Sequence, residues 1–335
     1  MGSGSMRGRR ARRIKLGAAA AGTALALAAL SPGLATASGA VDWQAAVGAS
    51  TRNQAVQVNA FLPQSVTVDV GDSITWTLAS GEFHTVTFLS GAAAPPLIIG
   101  GPGGPEFNPA AVAPSGGPTY DGTGLANSGL LFTGQKYTLG FTQAGTFSFQ
   151  CLVHAGMNGT IHVQDAGAPY PRTQAQYDTQ ALVNGNHLKA AGRTLEARTL
   201  AAARSSGAGQ AAVGAGALVS PVGSLAILRF LPSQLVVHTG DSVEWTNHDP
   251  ETPHTITFGE EPPGGPLGAF LPSGAAVPGH VTLTSPTEAA NSGFVGAAFP
   301  FGSTFTATFA SPGTYHFICA LHDDLGMTGT ITVLP

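Results

Sequence analysis

The chain has 335 residues, a formal net charge of −4, 10% charged side chains, 46 glycines, 24 prolines and two cysteines. Residues 1–40 carry six of the 14 Lys+Arg and none of the 18 Asp+Glu, so the remainder stands at a formal −10. An acidic, charge-poor chain of this kind excludes a nucleic-acid binder, which needs clustered basic side chains; its charge serves solubility or the steering of a basic partner.

From the N-terminus, residues 1–40 read as an export signal, with "MGSGS" (1–5) as a tag or upstream start before Met6. Arg7, Arg9, Arg10, Arg12, Arg13 and Lys15 form a basic head, Leu16 to Leu30 is uncharged and Ala/Leu-rich, Pro32 breaks it, and Ala35 to Ala37 offer a small-residue cleavage site. The pair Arg12-Arg13 is compatible with twin-arginine export and leaves Sec export equally open. The apolar run is shorter and richer in Ala and Gly than the roughly 20 firmly apolar residues of a spanning helix. The reading is therefore a secreted or extracytoplasmic chain with no membrane span after cleavage.

The rest repeats itself. "QAAVGA" occurs at 44–49 and 210–215, "FLPQSVTVDVGDSITWT" (61–77) matches "FLPSQLVVHTGDSVEWT" (230–246), "HTVTF" (84–88) matches "HTITF" (254–258), and "NSG" recurs at 127–129 and 291–293. "FTQAGTFSFQCLVH" (141–154) matches "FASPGTYHFICALH" (309–322), and "MNGTIHV" (157–163) matches "MTGTITV" (327–333). An offset that stays between 164 and 170 over all these matches means one domain duplicated, at 41–166 and 208–335. Within each copy the period is two: Val66, Val68 and Val70 alternate with Thr67 and Asp69, and Phe147, Phe149 and Cys151 share a face opposite Thr146, Ser148 and Gln150. Short alternating strands between Gly, Pro and Asp turns predict an all-β chain of two antiparallel sandwiches.

Two segments depart from the pattern. Residues 89–126 and their counterpart 259–290 are Gly/Pro-rich insertions, readable as a lid, a docking surface or a surface loop. Residues 167–207 form the linker; within it 172–204 is rich in Ala, Leu, Gln, Glu and Arg and predicts a helix interrupted near Asn184-Gly185-Asn186, followed by a hinge at 205–209.

Each copy keeps one Cys, two His and one Met in corresponding places: His84, Cys151, His154 and Met157, then His254, Cys319, His322 and Met327. A disulfide between the cysteines would need equivalent positions of two domains to meet within about 7 Å, and would leave the shared His and Met unexplained. A catalytic Cys–His pair needs a base and an oxyanion pocket that nothing here marks. Zinc gains little from a thioether. Two imidazoles, a thiolate and a weak axial thioether describe a blue-copper site, with one histidine from an early strand and three ligands on the loop before the last strand.

On these residues each repeat resembles a cupredoxin, the family of plastocyanin, pseudoazurin and amicyanin. The segments that carry the resemblance are "GDSITWT…HTVTF…GTFSFQCLVHAGM" and "GDSVEWT…HTITF…GTYHFICALHDDLGM". The resemblance implies two Greek-key sandwiches and two type 1 copper sites with the eight ligands above. The C-x2-H-x4-M spacing of the second copy is like plastocyanin and pseudoazurin; the C-x2-H-x2-M spacing of the first is like amicyanin. It further implies single-electron exchange with redox partner proteins rather than catalysis. The rivals are a nitrite-reductase-like copper enzyme and a copper storage or delivery protein. Against an oxidase, no His-x-His pair occurs, and His162, His238 and His316 fall on outward strand positions; against storage, there are only four methionines. His248 in "TNHDPETPH" is placed near the second site.

Overall fold

A computed structural model describes residues 39–101, 104–154, 156–207, 209–219, 222–259, 279–296 and 302–335. The export-signal reading therefore lies outside the described residues, apart from residues 39 and 40, and so does most of the second insertion. No helix among the described residues is long and apolar enough to cross a membrane.

The alternating segments form strands, and each repeat builds a Greek-key β-sandwich, but its sheets are mixed rather than purely antiparallel: Asp42–Ser50 runs parallel to Ser73–Leu78 and Ser65–Asp69 to Asn158–Gln164, with the same pairings in the second repeat. In the first, a five-stranded sheet runs in the order Ser65–Asp69, Asn158–Gln164, Gly145–Gln150, Thr87–Phe88, Ala126–Asn127. In the second, the order is Gln234–His238, Thr328–Leu334, Gly313–Ile318, Thr257–Phe258, Ala290–Asn291. Matching aromatic cores fill the sandwiches. Phe149 lies 4.5 Å from Phe61, 5.4 Å from Trp76 and 5.1 Å from Phe88 between ring centroids. Phe317 repeats this with Phe230 at 4.6 Å, Trp245 at 5.3 Å and Phe258 at 5.6 Å.

The other sheet of each sandwich is not separate. A single ten-stranded sheet runs through both repeats, joined where Val56–Leu62 pairs antiparallel with Gly223–Leu231, from Ala60 opposite Gly223 to Val56 opposite Ile227. Every residue of Val56–Leu62 is buried, including the polar Gln57 and Asn59. Gln57 accepts from the Gly81 N–H at 2.9 Å, and Asn59 donates to Ser224 at 3.3 Å. The backbone ladder of this seam leaves neither central strand with an open edge.

The linker helix spans Gln174–Ser205 and opens on a capping box between Thr173 and Gln176. It runs unbroken through Asn184-Gly185-Asn186, which corrects the expected interruption. Gly185 and Gly192 are buried contact points rather than breaks: a Cβ at Gly192 would sit 2.2 Å from Val56 Cγ1. The helix lies across the seam. Leu188 packs with Val58, Ala60, Leu62 and Leu225, and Leu195 and Leu200 pack with Val56, Ala215, Ile227 and Leu231. The relation of the two domains is set by strand pairing and this helix together, not by the helix alone.

The first insertion contains a hairpin, Ile98–Gly101 with Gly104–Phe107, and a short helix, Pro109–Val112, capped by Asn108. Ile98 and Phe107 pack against the core of the second domain. An insertion of one repeat thus covers part of the other.

Candidate metal centre

Both copies bring their His, Cys and His together. His84, Cys151 and His154 form one buried cluster, and His254, Cys319 and His322 a second, each with its ligand-type atoms within 4.8 Å of one another. In the first, Cys151 Sγ lies 3.7 Å from His84 Nδ1 and 3.8 Å from His154 Nδ1, and the two Nδ1 atoms are 3.1 Å apart. In the second the same distances are 3.7, 3.4 and 3.2 Å. Both cysteines are free and buried, so no disulfide joins them. Met157 and Met327 are fully buried in the cores beside their cysteines.

Local backbone bonds explain why these loops close. The Cys151 N–H donates to the Met157 carbonyl at 2.9 Å, and the Met157 N–H to the His154 carbonyl at 3.0 Å. The second loop repeats the Cys319-to-Met327 bond at 3.0 Å. Its two extra residues fold into the 3₁₀ turn Asp323–Leu325, ended by Gly326 in the left-handed region at φ 85°. Arg229 pins that turn by donating to the Leu325 carbonyl at 2.9 Å, and reaches across the seam to the Asn53 carbonyl.

Sequence reasoning missed several supporting residues. Thr85 accepts from the Leu152 N–H and Thr255 from the Ala320 N–H, both at 2.8 Å, tying the early-histidine strand to the cysteine loop. The Ser of each "NSG" does related work: Ser128 accepts from the Val86 N–H at 2.8 Å and Ser292 from the Ile256 N–H at 2.9 Å. Their presence in both copies was the available signal. Gly48 and Gly214, from the repeated "QAAVGA", sit at β-bulges with φ 69° and 80°, directly against His84 and His254. His84 Nε2 lies 3.0 Å from Ser80 Oγ. Pro250 takes the place of Ser80 in the second copy, and His254 Nε2 has no hydrogen-bond partner among the described residues. His248, expected near the second site, is exposed and lines a groove with Leu195, Arg198 and Thr199 of the helix. His162, His238 and His316 are exposed, as their strand phase predicts.

The electrostatics of each cluster tie the thiol to its imidazoles. Burial pushes the Cys319 thiol up, but His322 and His254 outweigh it and bring it down to about 5. Cys151 likewise moves well below its ordinary value: burial opposes this, and His154 and His84 prevail. Burial lowers His322, yet Glu82 and Cys319 push it up to about 10. His154 also moves up, against burial, through Cys151, Glu82 and Glu251, whereas burial takes His84 down. A thiolate and two Nδ1 atoms converging out of water suit a soft, borderline metal, and the donor set fits copper.

The two domains also meet at their metal loops. His154 and His322 both border an interdomain cavity of about 300 Å³, shared with Glu82, Phe83, Glu251 and Leu321. Glu82 is buried and its Oε1 lies 3.1 Å from His322 Nε2. Burial raises the Glu82 carboxyl, and His322, His154 and His84 bring it down to about 2. In the other direction, Glu251 accepts from the Gly156 N–H of the first loop at 3.0 Å.

The family model for copper binding proteins, plastocyanin/azurin family, matches residues 50–164 and again 218–334. The chain belongs to this family. The plastocyanin of Scenedesmus fuscus is 32% identical over 109 residues, covering 32% of this chain and 87% of its own. The plastocyanin of Ginkgo biloba is 30% identical over 111 residues, 33% of this chain and 93% of its own. Among solved structures, the oxidised plastocyanin of Dryopteris crassirhizoma aligns at 24% identity over 37% of this chain and 98% of its own, with a TM-score of 0.22. This plastocyanin/azurin-family chain therefore carries the family's copper-binding domain twice, with one buried His-Cys-His copper site in each.

Proposed function

We propose that the chain is an exported blue copper protein that carries single electrons between redox partner proteins, with one type 1 site per domain. The observation that carries this reading is the duplicated His-Cys-His cluster with a buried methionine beside each cysteine. His84, Cys151 and His154 would hold copper in the first site with Met157 as the axial donor; His254, Cys319 and His322 would do so in the second with Met327. Bound copper supplies a one-electron couple. The protein's part is to exclude water, keep the thiol ionised and fix the imidazoles through the backbone bonds and Thr pins described above, so that little rearranges on electron gain or loss. Because the two loops differ by two residues and their histidines have different partners, the two sites have different reduction potentials. The export reading rests on residues 1–40, and the acidic remainder suits a basic partner.

The rival is a copper oxidoreductase of the nitrite-reductase kind. The two metal-type clusters found among the described residues have the same composition, which favours two equivalent carriers over a carrier paired with a catalytic copper. The test is redox titration of the copper-loaded full chain, followed by assays with nitrite and with phenolic substrates. Two one-electron equivalents per chain with no turnover are expected; multiple turnovers of either substrate would replace the carrier with an enzyme.

A further inference from the structure

Among the described residues, His322 is the one proposed ligand whose second nitrogen meets a carboxylate of the other domain. Its Nδ1 faces Cys319 Sγ at 3.4 Å and His254 Nδ1 at 3.2 Å, the metal side, while its Nε2 faces Glu82 Oε1 at 3.1 Å. Glu82 belongs to the first repeat, two residues before His84. A buried carboxylate needs a partner, and the 3.1 Å approach is a close charge contact rather than an aligned hydrogen bond, since Glu82 Oε1 has no hydrogen-bond partner among the described residues. A carboxylate at that distance still favours the tautomer with its proton on Nε2, leaving Nδ1 free to ligate. The contact is not mirrored: Thr252 stands at the place of Glu82 in the second repeat. Glu251, one residue earlier, instead takes the Gly156 backbone N–H of the first loop. Other pieces of the first domain support the same loop. A Cβ at Gly81 would sit 2.8 Å from Leu325 Cδ2, and Arg229 spans from the Leu325 carbonyl to the Asn53 carbonyl.

We propose that Glu82 is a positioning residue for the second copper centre, supplied by the first domain, so that this centre is completed only across the domain seam. The inference rests on the copper reading above. It assigns to the seam a part in metal binding and in tuning one site apart from its duplicate.

The experiment uses the full chain with Cys151→Ser, which leaves the second centre as the copper site to be read. Copper affinity by competition, reduction potential and EPR parameters are measured with Glu82, Glu82→Ala and Glu82→Gln. Glu82→Ala is expected to lower copper affinity about 10–100-fold, raise the reduction potential by removing a negative charge that favours Cu(II), and change the EPR signal. Glu82→Gln keeps an acceptor oxygen and near-native volume, so it should recover part of the affinity but not the potential; it also carries the test if the alanine variant does not fold. The Cys319→Ser chain reads the first centre in the same way and should change less. Unchanged affinity and potential at the second centre in a folded Glu82→Gln and Glu82→Ala protein, or an equal change at both centres, would overturn the inference. Failure of the Cys151→Ser parent, with Glu82 intact, to bind copper would overturn the copper reading instead.

Discussion

Gly214→Ala is the sharpest single perturbation of the second centre that substitutes none of the proposed ligands. Gly214 sits at a bulge between Val213 and Ala215 with φ 80°, and a Cβ there would lie 2.2 Å from His254 Nε2 and 2.6 Å from its Cδ2. A left-handed alanine costs about 1–2 kcal/mol, and forcing a methyl into a packed core costs about 1–3 kcal/mol. The sum is about 2–5 kcal/mol. The bulge cannot relax freely, since its strand is paired on both sides, to Gly223–Leu231 and to Ser242–His248. The ring is therefore pushed toward Cys319 and His322, out of its ligating position. The assays are guanidinium unfolding of metal-free protein and copper titration in the Cys151→Ser background. Gly48→Ala is the comparison. Its Cβ meets the Ser80 hydroxyl at 2.3 Å and the Ser80 Cβ at 2.7 Å before His84 Nε2 at 3.0 Å, so the clash falls first on Ser80 and less on the ligand ring. Gly214→Ala should lose second-site copper affinity more than Gly48→Ala loses first-site affinity. Parent-like affinity and stability in Gly214→Ala would refute the reasoning.

Ser80→Ala should cost about 1 kcal/mol, or about fivefold in first-site copper affinity read in the Cys319→Ser chain, by removing the partner of His84 Nε2; the second site should not move. Ile227→Ala, in the apolar cluster shared with Val56 across the seam, should cost about 2–5 kcal/mol. It should shift unfolding of both domains together, as read by a single calorimetric transition moving to lower temperature. The metal-free protein should be most stable between about pH 6.5 and 9. Cys319, lowered to about 5 from 9.0, contributes fully above pH 9 and loses its contribution as pH falls through 5. His322, raised to about 10 from 6.5, contributes fully below pH 6.5 and loses it as pH rises through 10. Thermal melts of metal-free parent and Cys319→Ser across this range check it: the acid limb should flatten in the variant.

The His-Cys-His clusters and the proposed methionine ligands were legible because duplication acted as its own comparison: Cys, His and Met recur at matched places while their neighbours vary. The strand phases were legible for the same reason that outward histidines were. The seam was not. In Val56–Leu62 a period-two pattern with Gln57 and Asn59 on one face is identical whether that face meets water or another domain, and only the tertiary pairing decides. Glu82 was invisible too, because its partner is 240 positions away and the residue is absent from the second copy, so the repeat gave no signal. The helix was over-divided at Gly185, where a glycine that permits close packing against Leu62 has the same letter as one that breaks a helix.

The central claim is tested most directly by counting copper per chain and recording the visible and EPR spectra of the copper-loaded full chain beside its Cys151→Ser and Cys319→Ser variants. Two coppers, an intense blue band, and loss of one copper with roughly half the band in each variant are the expected result. A colourless protein after copper loading and oxidation, or a blue band untouched by either substitution, would contradict it.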